Sequence, residues 1–190
     1  MNKIIETMKK QVEIEHRARF SEKQHNILFE FLKKNGKDLG RDDKNVYFFV
    51  FPDKILKVTD NISKKTAKIT GKLSKIGEGS AFEEIEFPIS PADVKKAVKL
   101  FKLFGLGNMQ ESFQKRHNFK YKGVEISVKY SKMWGYHAEF EILINDKRKK
   151  KTVDEKIISV AKELGINLMT EKELKSFIKK REPIKIKKWK

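Results

Sequence analysis

The sequence predicts an α+β protein: a closed antiparallel β-barrel of about eight strands, with a polar, charged lumen and flanking helices. Three observations carry this. Segments with strict two-residue alternation of apolar and polar residues recur along the 190 residues, and that is the strand period. Two helical stretches interrupt them and a helical pair closes the pattern. The polar positions of the alternating segments are mostly Glu in some strands and Lys or Arg in others.

Residues 11–20 (QVEIEHRARF) set Val12, Ile14, Ala18 and Phe20 on one face, and Glu13, Glu15, Arg17 and Arg19 on the other. Ser21 is an N-cap for a helix whose apolar stripe is Ile27, Leu28, Phe31 and Leu32, and Gly36 stops it. Strands at 45–51 and 54–60 flank a Pro52-Asp53 turn. Residues 65–76 alternate Lys68, Thr70, Lys72 and Ser74 against Ala67, Ile69 and Leu73, and a Gly77–Ser80 turn leads to a strand at 81–89. Ser90-Pro91 opens a helix that buries Val94, Ala97, Val98, Phe101, Leu103 and Phe104, with Gly105 and Gly107 ending it. Strands at 111–121, 123–130 and 136–144 follow. The basic run Lys147–Lys151 leads to helices at about 153–164 and 170–180, divided at Gly165, with Thr170 and Glu173 at capping-box spacing. The expected organisation is one domain over residues 1–180, including the helices at about 153–180, and a basic tail at 181–190.

There is no cysteine, which excludes disulfides, thiolate metal sites and cysteine nucleophiles. No apolar run approaches the roughly 18 residues that a spanning helix needs, so no membrane partner and a cytoplasmic location are expected. Lys and Arg number 44 against 26 Asp and Glu, a formal charge of +18. Lysines scattered over solvated faces and attraction of an anionic partner both fit that total; position decides between them.

One short feature recurs three times: Glu13-Ile-Glu15, Glu84-Ile-Glu86 and Glu139-Phe-Glu141. In a strand, residues i and i+2 point the same way about 7 Å apart, so each pair offers two carboxylates to one side. Clustered carboxylates repel one another unless cations sit among them. The same faces carry Lys57 and Thr59, Lys68 and Lys72, the row Gln114, Arg116, Asn118 and Lys120, and the row Glu125, Ser127 and Lys129. Turned into one lumen, acids and bases make a site for a metal-bound polyanion, with hard oxygen ligands for Mg²⁺ or Mn²⁺ and a cationic phosphate cradle. Alternation by itself favours a plainer arrangement, in which these faces lie in water and Glu-x-Glu meets Lys-x-Lys across strands.

Residues 12–20 resemble the N-terminal signature of the CYTH family, the triphosphate tunnel metalloenzymes, which is Glu-x-Glu-x-Lys; here it reads Glu13-x-Glu15-x-Arg17. Residues 66–76 are similar to the family strand that ends in a substrate lysine, matched by Lys72. Residues 81–89 are similar to its Arg-Glu-Glu-x-Glu strand, with Phe82 at the Arg position. Residues 128–141 resemble the stretch Leu-Asp-x-x-x-x-Leu-Gly-x-Phe-x-Glu-x-Glu, with Trp134-Gly135 at Leu-Gly and Glu139, Glu141 as the last pair.

The resemblance implies a divalent metal, Mg²⁺ or Mn²⁺, held by Glu13, Glu15, Glu139 and Glu141, with Glu84 and Glu86 assisting. It implies phosphate binding by Arg17, Lys57, Lys72 and Arg116, with Arg19 and Lys129 also in the substrate-binding set, and a catalytic set of Glu13, Glu15 and Arg17. The implied activity is metal-dependent hydrolysis of inorganic tripolyphosphate or a nucleoside triphosphate. A class IV adenylate cyclase and a non-catalytic binder of polyphosphate or RNA 5′-triphosphate ends are the alternatives. The implied partner is a triphosphate-containing small molecule, RNA is not required, and the chain is a monomer or homodimer. Four departures thin the cation set: Lys57-x-Thr59 for Arg-x-Arg, Gln114-x-Arg116 for Lys-x-Arg, Lys129 for the Asp, and Arg17 for Lys. The His-Phe pair that bacterial cyclases carry before the first strand is replaced by Asn2–Ile5, which argues against cyclase activity. Of the histidines, His137 is expected in the lumen or at its rim, while His16, His25 and His117 lack ligand spacing. Trp134 and Tyr136 read as core or mouth aromatics, and Gly77-x-Gly79 as a hairpin turn.

Overall fold

A computed structural model of the chain describes residues 12–51, 53–72, 80–106 and 108–180. The strands are β1 (Val12–Arg19), β2 (Lys37–Arg41), β3 (Lys44–Val50), β4 (Ile55–Asn61), β5 (Thr66–Lys72), β6 (Ala81–Ile89), β7 (Asn108–Tyr121), β8 (Val124–Ser131) and β9 (Gly135–Ile144). The helices are α1 (Glu22–Asn35), α2 (Val94–Leu103), α3 (Lys150–Glu163) and α4 (Glu171–Lys179). Pro52, the end of the 65–76 segment beyond Lys72, the Gly77-x-Gly79 turn, Gly107, Asn2–Ile5 and the 181–190 tail lie outside the described residues.

All neighbouring strands are antiparallel, in the order β7-β3-β4-β5-β6-β1-β9-β8, and β8 pairs back onto β7 from Ser131↔Gln114 to Val124↔Tyr121. The 14-residue β7 makes this return possible. One of its edges takes β2 near one end and β3 along the other, while its second edge takes β8. The α+β class, the antiparallel sheet and the flanking helices agree with the sequence reading. The sheet is curled rather than evenly closed, because the β6–β1 seam rests on three register pairs, Val12↔Glu83 to Ile14↔Ala81.

Alternation explains which face turns inward. Ile14, Ala18, Phe119, Val124, Ile126, Ala138 and Phe140 face outward and are buried under Leu28 and Leu32 of α1 and Ile157, Val160 and Ala161 of α3. Phe49, Val58, Ala67 and Ile69 pack against Val94 and Val98 of α2. Each fully buried large side chain contributes roughly 1.5–3 kcal/mol, so the helices hold the apolar alternates outside and leave the polar alternates on the concave side. This is the inward arrangement, and the solvated one does not occur on β1, β8 and β9.

Local chemistry sets the helix ends. Ser21 Oγ accepts from Gln24 N at 3.3 Å while Gln24 Oε1 accepts from Ser21 N at 3.4 Å, and Thr170 and Glu173 repeat the box at α4. Gly165, at φ +68°, lets the chain leave α3 through an Ile166 N–H bond to Ala161 O.

Several expectations are corrected. The short β2 goes unannounced, because a register shift between Asp38 and Gly40 breaks its alternation. Leu103 and Phe104 are not buried; Leu103 is 79% exposed at the end of α2, while Val94 and Val98 face the core. Ile27 and Phe31 lie on the exposed flank of α1, where Phe31 meets the edge of Tyr121 at 5.7 Å. The basic run leads into α3 as expected, but the helix starts earlier, at Lys150, after a 3₁₀ turn at Lys147–Lys149 capped by Asp146. No helix of the described residues is long and apolar enough to cross a membrane.

Candidate metal and phosphate site

Because Ile14 and Ala18 enter the outer core, Glu13, Glu15 and Arg17 point into the concavity, and both Glu15 and Arg17 are buried. The β1–β9 register sets Glu15 opposite Glu141 and Arg17 opposite Glu139. On the facing strands, Lys72 stands opposite Glu84 and Thr70 opposite Glu86. Arg116 stands opposite Lys129, and Asn118 opposite Ser127.

Two electrostatic centres result. In the first, oxygens of Glu13, Glu15 and Glu141 lie within 4.8 Å of one another. Burial, with Glu15 beside it, pushes Glu13 up to about 9, Lys72 only partly opposing. Burial also raises Glu141, against the pull of Arg116 and with the push of Glu15. Three carboxylates this close repel one another and are short of positive charge, and an all-oxygen donor set suits a hard divalent cation. Lys72 supplies one charge at the edge, with its Nζ 2.9 Å from Glu84, 3.3 Å from Glu13 and 3.6 Å from Glu15. Burial works against the Lys72 ammonium, but these carboxylates raise it above the usual lysine range. Glu84 is carried down to about 2 despite burial, by Lys57 at 3.5 Å and by Lys72.

The second centre is Glu139. Lys129 Nζ lies 2.8 Å away, Arg17 Nε 3.2 Å and Arg116 Nη1 3.6 Å. Burial would raise this carboxyl, yet the three cations hold it well below the ordinary range. Arg17 spans both centres, since its Nη2 also pairs with Glu15.

Glu13, Glu15, Glu141, Glu84, Lys72 and Arg17 therefore meet, with Lys57 beside them, and Glu139, Arg116 and Lys129 adjoin through Arg17. Glu139 differs from its expected companions by facing cations rather than the acid triad. Glu86 is 39% exposed at the rim, bonded to Lys68 Nζ at 2.6 Å and to Thr70 Oγ1 at 3.1 Å. Arg19 is also at the rim, donating to Trp134 O at 2.9 Å and lying over the Phe177 ring at 4.2 Å. A hollow of about 390 Å³ opens at the Glu86 end, lined by Lys44, Thr59, Asn61, Thr66, Lys68 and Glu86 among others.

His137 is nearly fully buried. Burial and Lys129 push it down to about 3, so it is neutral, and its Nδ1–H donates to Gly135 O at 2.9 Å. His16 bonds Asp154 at 2.7 Å, and His117 stacks on Phe119. Trp134 packs on Phe177 at 4.6 Å and Tyr136 on His25 at 5.0 Å, as core or mouth aromatics do.

Asp42 is the residue that sequence reasoning missed. It is 2% exposed and pairs with Lys44 at 2.8 Å, Lys64 at 3.1 Å and Arg116 at 3.3 Å. It also accepts from Asn61 at 2.6 Å and Asn118 at 3.1 Å. The adjacent acids Asp42-Asp43 in so basic a chain were the available signal. They sit where β2 gives way to β3 and tie that break to Arg116: its O accepts from Asp42 N, and its N donates to Asp43 Oδ1.

The CYTH domain family model matches residues 11–177. A conserved hypothetical protein from Pyrococcus furiosus is similar at 26% identity and TM-score 0.69, over 83% of this chain and 94% of its own. A protein from Pyrococcus horikoshii is similar at 23% identity and TM-score 0.67, over 85% and 99%. A Hippeastrum protein, studied as an adenylyl cyclase candidate and described as having a dominant triphosphatase activity, shares the fold at 17% identity and TM-score 0.56, over 83% and 89%. No curated protein matches the sequence. With the matched residues spanning both electrostatic centres, the chain belongs to the CYTH family.

Proposed function

We propose that this protein is a metal-dependent phosphohydrolase acting on a triphosphate held along the concave face of its sheet. The observation that supports it best is the convergence of Glu13, Glu15 and Glu141 within 4.8 Å, bordered by buried Lys72 and Arg17. Glu13, Glu15 and Glu141 would hold Mg²⁺ or Mn²⁺, with Glu139 and Glu84 close enough to assist; Glu86, at the rim, is the least engaged of the six. Such an ion, when bound, supplies charge neutralisation to phosphate oxygens and makes a coordinated water more acidic.

The protein's own residues do the remainder. Arg17, Lys57, Lys72, Arg116 and Lys129 exchange their carboxylate partners for phosphate oxygens, which fixes the chain of phosphates and offsets charge on the leaving group. A carboxylate of the Glu13–Glu15 pair accepts a hydrogen bond from the attacking water and orients it. The water oxygen bonds to the terminal phosphorus as the bridging P–O bond to the leaving diphosphate breaks, and the water's proton passes to that carboxylate. Arg19 guards the rim rather than the phosphates.

A substrate panel tests this: tripolyphosphate, ATP and GTP, each with and without Mg²⁺ or Mn²⁺, read as released phosphate and as cyclic nucleotide. Divalent-dependent phosphate release is expected. Cyclic AMP as the main product from ATP, or binding of every substrate without turnover, would overturn the hydrolase reading.

A further inference from the structure

On the concave face the charged side chains are already paired with one another, and Ser127 stands out against that background. It is 0% exposed, and its Oγ is the one fully buried side-chain oxygen among the described residues with neither a hydrogen bond nor an ion pair. Its direction is set by its neighbours: Ile126 and Val128 enter the outer core, so Ser127 turns inward. Register places it beside Asn118 on one side and Glu139 on the other, two residues from Lys129 on its own strand. A buried hydroxyl without a partner is costly to the fold, and alanine would fill the same space without that cost.

The neighbours suggest what satisfies it. Lys129 and Arg116 both pair with Glu139. An anion that draws these two cations off Glu139 lies against the concave face of β7, β8 and β9. A serine hydroxyl rotates freely and donates to whatever acceptor arrives. We propose that Ser127 is a phosphate-binding residue, whose hydroxyl donates to a phosphate oxygen of the bound triphosphate once Lys129 and Arg116 have turned to that oxygen. The inference rests on the triphosphate reading above and adds a ligand contact to it.

Ser127→Ala in the full chain tests this through thermal unfolding and calorimetric titration with inorganic tripolyphosphate and Mg²⁺. Without ligand, the variant is expected to unfold at the wild-type temperature or above it, because no hydrogen bond is lost. Its dissociation constant for tripolyphosphate is expected to rise about tenfold, the worth of one hydrogen bond to a charged group, with a smaller ligand-induced rise in unfolding temperature. Affinity within twofold of wild type overturns the proposal and leaves the triphosphate reading intact. A fall in unfolding temperature without ligand, with affinity unchanged, also overturns it and assigns the hydroxyl to a buried water. Failure of the wild type itself to bind tripolyphosphate overturns the triphosphate reading, and this contact with it.

Discussion

Arg17 lies opposite Glu139 in the β1–β9 register, with its Nε 3.2 Å from Glu139 Oε1 and its Nη2 paired with Glu15. One guanidinium thus joins the acid-rich centre to the cation-rich one. Removing it leaves two buried carboxylates short of a partner, so Arg17→Ala is expected to cost about 3–5 kcal/mol in urea unfolding. Arg17→Lys keeps the charge but cannot span both acids, and its loss should fall between alanine and wild type.

Glu86 and Glu13 both belong to repeated Glu-x-Glu segments but occupy different places in the fold. Glu86 is engaged with Lys68 and Thr70 at the rim, whereas Glu13 belongs to the buried triad. Glu13→Gln is expected to lower kcat/KM for tripolyphosphate by about 100-fold or more, as removal of a transition-state electrostatic contact does. Glu86→Gln should leave it within a few fold. Equal losses in steady-state assays would contradict the division of the two sites.

Asp42 gives a pH signature. Burial would raise its carboxyl, but Lys44, Asn61 and Arg116 hold it below the ordinary carboxylate range. A folded-state value below the unfolded one contributes stability that is present above about pH 4, the unfolded value, and is lost as pH falls through the lower folded value. The stability difference between wild type and Asp42→Asn should therefore be constant from pH 7 to pH 5 and shrink below pH 4. Urea midpoints at pH 7, 5 and 3 measure it, and a gap unchanged at pH 3 would remove Asp42 from its network.

Helix α2 separates the sequence's buried side from the real one. Leu103 is exposed and Val98 is in the core. Leu103→Ser is expected to change unfolding free energy by no more than about 0.5 kcal/mol. Val98→Ala should destabilise measurably more, through the cavity it leaves beneath α2.

The strands that build the site were legible because their alternation is strong and their apolar members bulky: Ile14 between Glu13 and Glu15, and Phe140 between Glu139 and Glu141. Ser21 and Thr170 were legible as caps because capping is local. The unequal fates of Glu139 and Glu141 were not legible. They depend on a two-residue choice of register between strands more than 100 residues apart, and alternation gives the face but not the partner. Asp42 escaped for a related reason: its five partners come from β3, β4, the β4–β5 turn and β7, and only the folded sheet assembles them. Glu86 was grouped with Glu84 by spacing, yet one step along a curled strand carries it from the interior to the rim.

The most direct measurement is calorimetric titration of metal-free protein with Mn²⁺, comparing wild type with Glu13→Gln and Glu141→Gln after confirming that both variants are folded. Saturable binding to the wild type is predicted, with release of the proton that Glu13 carries without an ion, and at least about a tenfold weakening in each variant. Wild-type Mn²⁺ affinity retained in both variants would contradict it.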